Sequence, residues 1–122
     1  MNFDEVAEFT KEFKRLAKKY PTLPNDLEVF KMTLPLLEFE ENKNCTVLKI
    51  KGSQKVIKVR LKVACLRGVP KLRIVFILRI EKNNVSFLEI YTKSEKDRED
   101  EDRINAYLWF VKVTTKPLTP NP

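Results

Sequence analysis

The stretch KVIKVRLKVA, Lys55 to Ala64, alternates cationic and apolar side chains. In an extended chain successive residues face opposite ways, so Lys58, Arg60 and Lys62 share one face while Ile57, Val59, Leu61 and Val63 share the other. The pattern repeats in LRIVFILRIE, where Arg73, Val75, Ile77, Arg79 and Glu81 oppose Leu72, Ile74, Phe76, Leu78 and Ile80. In VSFLEIYTK it sets Phe87, Glu89, Tyr91 and Lys93 opposite Leu88 and Ile90. Each stretch offers a dry face for helices and a face bearing cations. With matching registers, the cationic faces converge.

Such a surface carries the groups that RNA cleavage needs. Attack by the 2′-hydroxyl on its own phosphodiester requires charge stabilisation at phosphorus, a proton acceptor and a proton donor. Crowded cations lower one another's affinity for protons, so a crowded lysine could act as base while arginine, always charged, holds the phosphate bidentately. Tyr91 could stack on a base or donate a proton. The plain alternative is a solvated outer face, ordinary for an antiparallel sheet, with Glu89 neutralising a cation across the strand. Composition and spacing leave both readings open.

The elements that must position these residues follow from a change of period. Phe9, Phe13, Leu16, Ala17 and Tyr20 recur at three and four, opposite Lys11, Lys14, Arg15, Lys18 and Lys19, and predict a helix stopped by Pro21. Phe3 and Val6 either extend that helix or form a short edge strand. A second helix, about Asn25 to Glu38, follows from Leu27, Phe30, Leu34 and Leu37, with Pro35 kinking or shortening it. From Cys45 the period is two, giving strands Thr46 to Lys51, Val56 to Cys65, Leu72 to Glu81 and Val85 to Tyr91. Gly52-Ser53, Gly68 with Pro70, and Asn83-Asn84 supply the turns, and links this short imply antiparallel neighbours. Ser94 and Asp97 have helix-start spacing, and Ile104, Leu108 and Val111 give a final amphipathic helix. The expected fold is α+β: a helical hairpin on one face of a small antiparallel sheet of three or four strands, then a C-terminal helix. Residues 1–113 form one domain and 114–122, rich in proline, a flexible tail.

The 122 residues, 43% hydrophobic and 34% charged, suit one globular domain. No apolar run approaches a membrane span, and the start MNFDEVAEF is not a signal peptide, so a cytoplasmic protein is expected. Cys45 and Cys65 are isolated and the chain has no histidine, which excludes zinc-ligand spacing and Cys-His or Ser-His catalysis. Nothing argues for a metal or organic cofactor. The net charge of +7 favours a polyanion or an acidic protein as partner. Residues 94–112 are the exception at −2, and the run EKDREDED suits a solvated helix start and could repel competing polyanions.

The segments FTKEFKRLAKKYPTLPNDLEVFK, IKVRLKVACLRG and above all LRIVFILRIEKNNVSFLEIYTKSEKDREDEDRI, in this order and spacing, resemble the RelE/ParE-type toxins of bacterial type II toxin–antitoxin pairs from about Glu8 to Ile104. The resemblance implies a basic concave sheet face that cuts messenger RNA on the ribosome without a metal. Lys58, Arg60 and Arg73 match the phosphate-binding and activating residues, and Tyr91 and Lys93 join them as catalytic candidates. Lys62, Arg67, Lys71 and Arg79 are candidates for nucleic-acid contacts. The implied partner is an antitoxin whose acidic segment covers the groove. The alternatives are a non-catalytic inhibitor of DNA gyrase, as in the ParE branch, and an inactive nucleic-acid- or protein-binding module. The link LRGVPK departs from relatives that carry a longer, glycine-rich basic loop there.

Overall fold

The computed structural model describes residues 1–36, 43–67 and 69–108. The chain runs β1 (Asn2–Glu5), α1 (Ala7–Lys19), α2 (Leu23–Thr33), β2 (Cys45–Lys51), β3 (Gln54–Leu61), β4 (Leu72–Arg79), β5 (Asn84–Thr92) and a helical segment over 101–108, α3. The fold is the expected α+β arrangement, with a larger sheet. Five strands lie in the order β1-β5-β4-β3-β2. The meander β2 to β5 is antiparallel, and β1 adds parallel to β5 with Phe3 beside Val85 and Glu5 beside Phe87. Phe3 and Val6 therefore belong to the edge-strand alternative, with Val6 donating its N–H to the Phe87 carbonyl at 3.1 Å.

Local chemistry sets most boundaries. Helix α2 starts two residues earlier than expected because Pro24 is well placed in a first turn, where its missing N–H costs nothing. It ends at Thr33, and Pro35 lies in a single 3₁₀ turn, Leu34–Leu36. Gly52 and Asn83 adopt φ of 60° and 50°, the left-handed conformation of tight turns. Strand β3 ends at Leu61, short of the expected Cys65, because Ala64–Leu66 turn as a 3₁₀ segment. Helix α2 holds that turn: the Ala64 N–H reaches Asp26 at 3.2 Å and the Cys65 N–H reaches Thr22 Oγ1 at 3.0 Å. The start of α3 is also displaced. Thr92 and Glu95 form the reciprocal backbone and side-chain bonds of a capping box, but around a turn, and the helix is capped by Asp100, which accepts the Arg103 N–H at 3.0 Å. Leu37, Glu38, Gly68, Val111 and the expected tail, 114–122, lie outside the described residues.

Two cores sandwich the sheet. On one face the helical hairpin buries Phe9, Leu16, Leu23 and Leu27 against Ile57, Leu61, Leu72, Ile74, Phe76 and Ile90. Phe87 joins this core, its ring centroid 5.4 Å from that of Phe9 and 6.0 Å from that of Phe76. On the other face α3 sets Ile104 and Leu108 against Val56, Val75, Ile77, Leu88 and Tyr91. This corrects the expected faces of VSFLEIYTK. A bulge opposite Val75/Phe76 leaves Leu88 unpaired, and the extra residue shifts the alternation. Phe87 goes to the hairpin side, while Leu88 goes to the side of α3.

Because β1 covers only residues 84–87 of β5, the rest of that edge would expose backbone groups. Side chains fill the gap. Arg103 of α3 donates to the Leu88 carbonyl at 3.0 Å, and Glu12 of α1 accepts the Ile90 N–H at 3.3 Å. The two then pair bidentately at 2.9 and 3.0 Å, clasping α1 to α3 around the edge of the sheet.

Candidate functional site

Helix α3 covers only part of the second face, so the cationic rows are divided along their length. Arg60 and Arg73 are direct partners across β3 and β4, and Arg73 is in turn the partner of Tyr91 on β5. Like charges directly opposite destabilise a strand pair, a cost that an anion between them would offset. The two line a cleft of about 220 Å³ with Lys43, Asn44, Thr46, Lys58, Lys93 and Asp97. The β2–β3 register sets Thr46 beside Lys58, and the Arg60 N–H binds the Asn44 carbonyl at 2.9 Å, which brings the start of β2 to the rim.

The electrostatics differ within the cleft. Arg60 is exposed, and among the described residues no carboxylate pairs with it. Arg73 is half-buried and aimed by the Pro70 carbonyl, which accepts from Nη1 at 2.7 Å. Burial, reinforced by the charge of Arg60, lowers the proton affinity of its guanidinium, although the group remains a cation. Lys58 is engaged: its Nζ lies 2.8 Å from Glu99 Oε1, on a carboxylate side chain only 7% exposed. Burial pushes the Glu99 carboxyl up, but the hydrogen bonds from Lys58 and from backbone outweigh it, and the group titrates below the ordinary 4.5. Tyr91 is buried and its phenol is pushed up to about 12, by burial first and then by Glu99 and Glu89. The ammonium of Lys96 lies over its ring, 5.1 Å from the centroid.

Of the nine candidates, the structure brings Lys58, Arg60, Arg73 and Lys93 into the cleft, with Tyr91 packed behind Arg73. Lys62, Arg67 and Lys71 are exposed at the same end of the sheet, in the link between β3 and β4, outside the cleft wall. Arg79 does not join them. It sits six residues beyond Arg73 on β4, roughly 20 Å away at strand rise, and is only 7% exposed. There it donates to Asn84 Oδ1 and, at 2.6 Å, to Ser86 Oγ, which in turn donates to Asp4. Its role is to tie β1 to the sheet.

Sequence reasoning missed the acidic side of the site. EKDREDED is largely exposed and leads into α3, as expected, but it also acts as a strap that pairs with cations of α1, β2 and β3. Glu95 pairs with Arg15 at 2.8 Å, Glu99 with Lys58 and Glu101 with Lys49 at 2.9 Å, while Asp97 lines the cleft. Glu89, fully buried, anchors the strap by accepting from Lys96 and from the Asp100 N–H at 2.9 Å. Thr46 was legible in principle, since counting back from the Gly52 turn sets it near Lys58. Lys43, Asn44 and Asp97 sit on turns and bends, where no period announces a direction.

No family model and no curated protein matches the chain. Among solved structures it is similar to a chain of the crystal structure of the archaeal RelE-RelB complex from Pyrococcus horikoshii OT3. The TM-score is 0.57 at 12% identity, over 78% of this chain and 97% of that one. At that identity the likeness is one of fold. No helix among the described residues is long and apolar enough to cross a membrane.

Proposed function

We propose that this chain is the toxin of a toxin–antitoxin pair, and that it cuts messenger RNA, on the ribosome, in the cleft between β3 and β4. The observation that carries the reading is the cross-strand Arg60–Arg73 pair at the wall of the cleft. The fold likeness to a chain of a RelE-RelB complex supports it.

Arg60 and Arg73 hold the scissile phosphodiester and take up the charge that grows on its oxygens during attack by the adjacent 2′-hydroxyl. Lys58, two residues before Arg60 on β3, and Lys93, just after β5, add positive charge. Asp97 is the carboxylate in the cleft able to accept the hydroxyl proton. Tyr91 backs Arg73 and limits its swing. A basic groove of this kind binds nucleic acid indiscriminately unless covered, so the proposed antitoxin presents an acidic segment to it.

The test is induced expression in bacteria of the wild type and of Arg73→Ala. Growth arrest with fragmented message in the first culture, and at least 100-fold less cleavage in the second, is the expected result on the scale of one lost transition-state donor. Intact message in both cultures overturns the nuclease reading. Loss of DNA supercoiling with intact message would instead identify a gyrase inhibitor.

A further inference from the structure

The acidic strap is built into the fold rather than draped over it. The β5 bulge turns Glu89 onto the α3 side, and its buried carboxylate fixes Lys96 and the backbone of Asp100. That brace holds Glu99 against Lys58, which lines the cleft, and its carboxylate, almost wholly out of water, is 2.8 Å from the ammonium. A side chain placed so has exchanged its hydration for one ammonium group and a backbone hydrogen bond. A phosphate entering beside Arg60 and Arg73 meets a lysine that already has an anionic partner.

We infer that Glu99 is an internal competitor for the anion: it holds Lys58 when the cleft is empty, and a phosphate must win the lysine from it. The inference rests on the reading of the cleft as a phosphodiester site and names a residue that sets its affinity. Ligands that touch the cleft by charge alone leave the Lys58–Glu99 pair in place. Only a phosphate seated between both guanidiniums brings its oxygens close enough to exchange partners. Glu99 therefore lowers the affinity of the cleft for any phosphate that takes Lys58 from it.

The test uses the full chain and two ligands that cannot be cut, inorganic phosphate and a dinucleotide lacking the attacking 2′-hydroxyl, titrated calorimetrically. Glu99→Gln, nearly isosteric, should tighten both by about tenfold, the equivalent of exchanging an ionic partner of Lys58 for a neutral one. In Glu99→Gln combined with Lys58→Met the gain should vanish, since the competitor and its prize are both gone. Unchanged or weaker binding in Glu99→Gln, or a gain that survives Lys58→Met, overturns the inference. Should Glu99→Gln fail to fold in a thermal melt, Glu99→Asp, which draws the carboxylate back, should still tighten binding severalfold, and its failure to do so has the same force. If Arg60→Ala and Arg73→Ala leave wild-type affinity untouched, the cleft is no phosphate site, and that separate result removes the parent reading and this one together.

Discussion

Tyr91 and Arg73 face one another across β4 and β5, and each alters the other's proton affinity. The phenol, raised from 10.0 to about 12, makes a testable contribution to stability. A group whose folded value lies above its unfolded value stabilises the fold while both states are protonated, and that contribution fades as pH climbs from the unfolded value through the folded one. Denaturation midpoints of wild type and Tyr91→Phe should therefore run parallel below pH 10 and converge or cross towards pH 12, as the wild type alone gains an incentive to ionise by unfolding. Midpoints with a constant offset throughout would show that burial of the phenol does not govern its titration.

At the scale of elements, the clasp between α1 and α3 does what a fuller β1 would otherwise do. Glu12→Ala leaves the half-buried guanidinium of Arg103 without its bidentate partner and the Ile90 N–H without an acceptor. Loss of a charge-assisted bond of this kind costs about 2 kcal/mol, and chemical denaturation should report it, while Glu12→Ala with Arg103→Met should recover part of the loss. Neither residue has a periodic signature, which shows where legibility stops. Alternation was enough for β3 and β4 because both are regular and buried on at least one face, so Ile57, Ile74 and Phe76 fall where counting puts them. It failed one strand later. A single unpaired residue, Leu88, reverses the direction of everything before it relative to everything after, and nothing in VSFLEIYTK marks the insertion. It failed also at Arg79, which shares a strand face with Arg73 but lies at the opposite end of the sheet, because period fixes a side and says nothing of distance along it. The acidic run is mostly exposed, as charge runs usually are, and what counting could not show is that the fold brings Glu99 to Lys58.

For the whole molecule, the uneven charge predicts how association responds to salt. Four cleft cations, Lys43, Arg60, Arg73 and Lys93, are available to a single-stranded polyanion, while Lys58 is already matched. With three or four phosphates neutralised, the logarithm of the binding constant should fall against the logarithm of salt with a slope of about −2 to −3, and Arg60→Ala should flatten it by about 0.7. Fluorescence anisotropy with a short non-cleavable oligonucleotide measures both. A slope near −5 would mean that the exposed cations Lys62, Arg67 and Lys71 share the footprint.

The pairing of β1 with β5 has a consequence for synthesis. Asn2 is partnered by Asn84, and the two strands share their phenylalanines through Phe3 and Phe87. Strand β1 thus waits for β5 to be made, and the cleft waits with it, since Lys93 and Asp97 are translated later still. A nascent chain that stops before Lys93 carries Arg60 and Arg73 but lacks the surroundings that aim them, so the proposed nuclease site is assembled only after β5 and the segment following it have been made.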